Sequence, residues 1–119
     1  MSRYTGRLPR SYEQASRMLN GRNSRTLFNN TVLRFSVNGE SVLVEHHGST
    51  IAQFRSNGEV MLTNAGYGSV STRERLSAMT PPGVHFVQRQ YVQRVQVPAQ
   101  GIDEATGTLW IAPDGTVSV

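Results

Sequence analysis

The stretch Asn64 to Leu76, NAGYGSVSTRERL, sets two glycines, a tyrosine and a run of hydroxyl residues ahead of a short basic segment. Backbone N–H groups at a helix start attract anions, so Gly66-Tyr67-Gly68-Ser69 has the composition of a phosphate-gripping loop. The established versions of that loop need more. A P-loop carries a lysine before its Ser/Thr, and this chain has no lysine. A dinucleotide fingerprint needs Gly-x-Gly-x-x-Gly inside a βαβ unit; Ser71 stands where the third glycine belongs. Ser71-Thr72-Arg73-Glu74 fits the S-x-x-E capping box, in which hydroxyl and carboxylate satisfy each other's backbone donors. On that reading Gly66-Tyr67-Gly68 is a turn out of a strand, and Tyr67, Arg73 and Arg75 are candidate contacts set around it.

The other reactive side chains do not assemble into a motif. His46 and His47 are adjacent at the end of a strand pattern, which sends their side chains to opposite faces and argues against a shared metal. His85 is distant in sequence, and the one carboxylate pair, Asp103-Glu104, falls in a loop pattern. There is no Gly-x-Ser-x-Gly elbow. The absence of cysteine excludes disulfides, thiol catalysis and thiolate metal sites. The expectation is a protein that is not an enzyme and holds no cofactor or metal.

Arginine is the residue type with a distribution to explain. All twelve basic residues are arginine. Up to Arg34 there are seven, against Glu13 alone, a net +6; the remaining five face seven acids, a net −2, which together give the chain's +4. The basic pI is therefore a property of the N-terminal third and points to an anionic partner. Arginine forks fit phosphate and carboxylate alike, so nucleic acid and an acidic protein surface are both candidates. Arg10, Arg17, Arg22 and Arg25 are the expected contacts, with Tyr4, Tyr12 or Phe28 available to stack on bases. The bland alternative is that Arg22 and Arg25 only complement the negative end of a helix.

The elements that position these residues follow from periodicity. At 119 residues the chain suits one domain. Residues 1–10 hold three arginines, a glycine and a proline without periodicity and read as a flexible basic arm, leaving 11–119 as one α+β domain. Ser11-x-x-Gln14 is a capping box. Tyr12, Ala15, Met18 and Leu19 form one apolar stripe, and Gly21 is a natural end. From Thr31 the period becomes two. TVLRFSV, SVLVEH, TIAQF and EVMLT are separated by Asn38-Gly39, His47-Gly48 and Asn57-Gly58, the signals of a four-strand antiparallel meander. Leu33, Phe35 and Val37 share one face of the first strand, with Val42, Val44 or Leu43 next to them. A short helix with Leu76 and Met79 on its apolar side ends at Pro81-Pro82-Gly83. Residues 84–97 are a hairpin turning near Arg89-Gln90 or one long strand. AQGIDEATG is a loop, and TLWIAPDGTVSV is a last hairpin about Pro113-Asp114-Gly115.

RNSRTLFNNTVLR, HHGSTIAQF and LTNAGYGSVSTRERLSAM, in that order, resemble a group of small uncharacterised proteins encoded by tailed bacteriophages. In that group an R-N-x-R…N-N-T segment precedes an L-H-G-T-x-I strand pair, a Gly-aromatic turn and a T-T-x-x-R helix, then a hairpin ending in an aromatic-Val pair. Asn23 to Thr31, His47 to Ile51, Tyr67 to Leu76 and Tyr91-Val92 occupy those places, over roughly residues 22–92. Gly68, Ser69 and Ser77 depart from it. The resemblance implies a phage accessory protein and no particular reaction.

Three functions are thus in view. The first is a non-enzymatic accessory protein of the host cytoplasm. Its basic surface would dock on nucleic acid or on a host nucleic-acid-handling complex, as an inhibitor or regulator. The second is a small virion or assembly protein that oligomerises through a strand edge, TVSV being the candidate. The third is an enzyme using the Gly66–Thr72 loop. No apolar run approaches the roughly 18 residues of a membrane helix, and the first residues lack the apolar core of a secretory signal. A soluble, intracellular protein without a membrane partner is expected.

Overall fold

The computed structural model describes residues 8–66 and 68–119. It is α+β, with two helices, a seven-stranded antiparallel sheet and a three-stranded antiparallel sheet. In chain order these are α1 (Tyr12–Leu19), β1 (Ser24–Phe28), β2 (Thr31–Phe35), β3 (Ser41–His46), β4 (Ser49–Arg55), β5 (Val60–Thr63) and α2 (Val70–Met79). Then come β6 (His85–Arg89), β7 (Val92–Val97), β8 (Ile102–Glu104), β9 (Thr108–Ile111) and β10 (Val117–Ser118). The large sheet runs β1-β2-β3-β4-β5-β9-β10 and the small one β6-β7-β8.

The meander is present and has one strand more than its sequence pattern announces. SRTLF pairs with β2 as β1, through an Asn29-Asn30 turn in which Asn30 takes a φ of 52°. The register then lays apolar residues in rows across the sheet. Leu33 faces Val44, Val44 faces Ala52, Ala52 faces Leu62 and Leu62 faces Leu109, and all five are 0% exposed. A parallel row runs Phe35, Val42, Phe54, Val60, Ile111 and Val117. Period-two alternation aims both rows at one face, and α1 covers that face with Ala15 and Leu19 buried against it. Val37, expected on this face, lies beyond the end of β2 and is fully exposed.

The turns depart from the expected chemistry. At Asn38-Gly39 and Asn57-Gly58 only the glycines have positive φ. The asparagines instead accept backbone N–H groups two residues on, from Glu40 at 3.0 Å and Glu59 at 2.9 Å. His47-Gly48 is the pair in which both residues are left-handed, at 50° and 80°.

The first helix caps as its sequence suggests, with one shift. Ser11 Oγ accepts from Gln14 N at 3.1 Å, but Gln14 Oε1 reaches back to the N–H of Arg10, at 2.9 Å. The left-handed exit begins on Asn20 and continues through Gly21. Of the expected arm, residues 1–7, including Arg3, Tyr4 and Arg7, lie outside the described residues. Residues 8–10 are docked: Leu8 is buried in the core and Arg10 Nε donates to the Ala78 carbonyl of α2 at 3.1 Å.

The second helix corrects the capping box. It begins at Val70, its cap is Ser69, and Ser69 Oγ accepts from Thr72 N at 3.2 Å. Ser71 therefore sits inside the first turn, and Glu74 is too far along to close a box. The helix packs between the large sheet and β6, so its buried residues, Thr72, Arg75, Leu76, Ala78 and Met79, do not form a single stripe.

The C-terminal region resolves one open reading and corrects two. Residues 85–97 are a hairpin, turning at Gln90-Tyr91. The supposed loop contains β8, which pairs with β7 and completes the small sheet. The last hairpin joins the large sheet, β9 pairing with β5. Its outer edge at Val117 is engaged: Gln100 Nε2 donates to Val117 O at 2.9 Å and Gln100 Oε1 accepts from Val117 N at 3.0 Å. The edge expected of TVSV is thus occupied at Val117 by the Gln100 side chain.

Candidate functional site

Arg17, Arg22 and Arg25 gather around the C-terminal end of α1. Arg17 lies in its last turn, Arg22 just beyond its left-handed exit, and Arg25 on the edge strand β1. All three are exposed. Arg25 faces Leu33 across the ladder, which puts it on the face that carries α1. There its Nη1 donates to Met18 O at 2.8 Å, capping a terminal carbonyl where the dipole favours a cation. One of the five guanidinium donors is used in that bond. The described ion pairs lie elsewhere: Arg34–Glu45 at 2.7 Å, Arg55–Glu59 at 2.7 Å and Arg94–Asp103 at 2.8 Å. Among the described residues no carboxylate pairs with the three at the corner.

Arg75 has the opposite setting. It is 7% exposed. Its Nε donates to Thr31 Oγ1 at 2.8 Å, Nη1 to Ser71 O at 2.9 Å and Nη2 to Asn29 O at 3.2 Å. The guanidinium lies over the Phe28 ring, 5.0 Å from its centroid, so one of the three rings read as available to stack on a base carries a cation–π contact. Burial lowers the Arg75 pKa, opposed by the Glu74 charge. Arg75 ties α2 to the β1–β2 turn and does not lie on a contact surface. Two residues away, Arg73 turns to the other side of the helix, half-buried beside Val70, Ser77 and Phe86, with a buried Nε that has no partner.

A cavity of about 480 Å³ opens at the head of α2, lined by His46, His47, Ile51, Gly66, Gly68, Ser69, Ser71 and Thr72. Three hydroxyls form a chain along it, Ser71 Oγ to Ser69 Oγ at 3.2 Å and Ser69 Oγ to Thr72 Oγ1 at 2.9 Å. The displaced Ser71 also meets His46 Nε2 at 3.2 Å. His46, on the inner face of β3, is 5% exposed. Its pKa is lowered, first by burial, then by the Arg75 and His47 charges, against a smaller opposing effect of the Asn30 backbone; no partner meets its Nδ1 with hydrogen-bond geometry. A neutral imidazole facing a serine hydroxyl can exchange a proton with it, but Nδ1 lacks the orienting acid of a catalytic triad. The two histidines were expected on opposite faces. Their ring centroids are 4.3 Å apart and both line the cavity, because the left-handed backbone at His47 breaks the strand alternation. No group of three or more His, Cys, Asp or Glu side chains converges among the described residues.

The structure thus brings Arg17, Arg22 and Arg25 to one corner and separates them from Arg10, Arg73 and Arg75. Arg10 is spent in part on the end of α2, and Tyr67 lies outside the described residues. Thr31, His46 and Ser71 form a polar cluster that the sequence does not advertise. Its one signal is His47-Gly48, a turn tight enough to swing both imidazoles together.

No helix among the described residues is long and apolar enough to cross a membrane. A family model described as Kyanoviridae Gp96 protein matches residues 10–110. No curated protein and no solved structure matches the chain.

Proposed function

The chain belongs to the Kyanoviridae Gp96 protein family, a phage family, and on that premise we propose a non-enzymatic accessory protein that docks its basic corner on nucleic acid. The corner formed by Arg17, Arg22 and Arg25 grips backbone phosphates, alone or within a host nucleic-acid-handling complex that the protein regulates or inhibits. One observation carries this reading: these three guanidiniums are exposed and, among the described residues, without carboxylate partners, while Arg34, Arg55 and Arg94 each hold an acid. The end of α1 takes one described side-chain bond from the three, Arg25 to Met18 O.

Electrophoretic mobility with a panel of short DNA and RNA duplexes and single strands, across a salt series, tests it. Phosphate docking gives affinity that falls steeply with salt and drops when the three arginines become alanine. Binding indifferent to salt, or unchanged in the triple variant, ends this reading. An assembly role through a strand edge is the second reading, favoured by β1, an edge strand whose first three residues are exposed. It predicts a fixed oligomer by light scattering at micromolar concentration, with no nucleic-acid binding.

A further inference from the structure

We propose that the β6–β7 hairpin is a base-stacking finger, in which Tyr91 takes an unpaired nucleobase and Arg89 the phosphate beside it. The observation is a turn that folding alone would not choose. Gln90 and Tyr91 both have left-handed backbones, with φ of 50° and 67°. A two-residue hairpin turn with positive φ at both positions favours Asn-Gly, because a Cβ is strained there and an aromatic one more so. Strain of this kind persists where the chain uses it.

What it achieves here is presentation. Tyr91 is 94% exposed, and Val92 beside it is 45% exposed. Arg89 and Val92 face each other across the ladder and so share one face. Arg89 is exposed and forms none of the described ion pairs, whereas Arg94, further down the hairpin, is held by Asp103 at 2.8 Å. The tip therefore carries one exposed ring, one aliphatic shoulder and one cation. A partner for it must bring a flat apolar face with a negative charge close by, which describes a base and its phosphate. In a duplex the bases are stacked on each other, so the inference specifies single-stranded or unpaired nucleic acid. It rests on the nucleic-acid reading above and adds a second contact to it.

The test compares two fluorescein-labelled single-stranded 20-mers, one of mixed sequence and one with abasic sites throughout, binding to the full chain. Their phosphates are the same and only one offers bases. The wild type is expected to prefer the base-bearing strand by about 5- to 150-fold, the range for stacking one base. Tyr91→Phe keeps the preference, and Tyr91→Ala loses it while still binding both strands through phosphate contacts. The double variant Gln90→Asn, Tyr91→Gly supplies the control for folding: it relaxes the turn, raises Tm, and yet loses the preference. Equal binding of the two strands by the wild type overturns the finger and leaves the arginine corner standing. A preference that survives Tyr91→Ala also overturns it. Failure to bind either strand overturns the finger, and the arginine reading falls with it only where the duplexes are not bound either.

Discussion

Arg75 and the corner of Arg17, Arg22 and Arg25 put the same side chain to opposite uses. Arg75 is enclosed, its donors divided among a hydroxyl and two carbonyls, its plane against Phe28. The corner arginines stand in solvent, and one bond to Met18 O is the one described side-chain bond among them. Net charge counts the two kinds alike. The difference teaches that a basic pI reports a surface property only after the arginines used as internal braces have been subtracted.

The strongest way to break that contrast is Arg75→Ala. It removes three hydrogen bonds from a charged donor, to the buried Thr31 hydroxyl and the Asn29 and Ser71 carbonyls. A loss of about 2–4 kcal/mol is expected, measured by urea unfolding. Arg75→Met keeps the stem's packing and should lose roughly half as much. Nucleic-acid affinity of the folded variants should be unchanged. A stable Arg75→Ala protein with weakened binding would make Arg75 a surface residue after all.

The converse change is the triple Arg17→Ala, Arg22→Ala, Arg25→Ala. Each exposed site should shift stability by no more than about 0.5 kcal/mol. Affinity for DNA should fall more than about tenfold, and the slope of log K against log salt should flatten by about 3. If stability falls while the salt slope stays the same, the corner is a brace like Arg75.

The contrast also marks how far the sequence could be read. The meander was legible because hydrophobic alternation and Gly-containing turns are local. β1 was not, since Ser24, Arg25 and Thr26 are exposed at the sheet edge and its turn is Asn29-Asn30, without glycine. Pairing of β9 with β5 spans a helix and the whole small sheet, and no local pattern encodes it. The cap of α2 was misplaced because Ser69, Ser71 and Thr72 offer three hydroxyls in four positions, and only the helix's packing selects the first. Arg73 and Arg75 are equivalent as letters, and rotation about the helix axis sends one to each side. The arginine corner was legible as a charge excess, but that no carboxylate pairs with it among the described residues is a fact of three dimensions.

The two serines give a smaller test of the same division between brace and surface. Ser69→Ala deletes the cap and should cost about 1 kcal/mol. Ser71→Ala leaves the cap intact and removes the contact to His46, so the loss should be smaller, within about 0.5–1 kcal/mol. Thermal unfolding of the two variants ranks them, and the reverse order would restore Ser71 as the cap.

The finest test uses His46 as a reporter of the buried charge. Burial and the nearby Arg75 hold its pKa below 6.5 in the folded protein, while the unfolded chain titrates near that ordinary value. Between the two values the unfolded state binds the extra proton, so stability rises with pH through that window. The neutral form's contribution is complete above about pH 6.5 and is lost progressively as pH falls toward the folded value. The lowered carboxylates, Asp103 and Asp114, start from 3.8, so their losses come at more acidic pH and do not confuse the window. Tm should therefore fall as pH drops below about 6.5 in the wild type, and His46→Gln should flatten that slope. Arg75→Met should flatten it in part, by removing one of the charges that depress the imidazole. The triple corner variant should leave it as it is, because Arg17, Arg22 and Arg25 are not among the groups that move His46. A slope that changes with the corner and not with Arg75 would reverse the assignment of which arginine is inside.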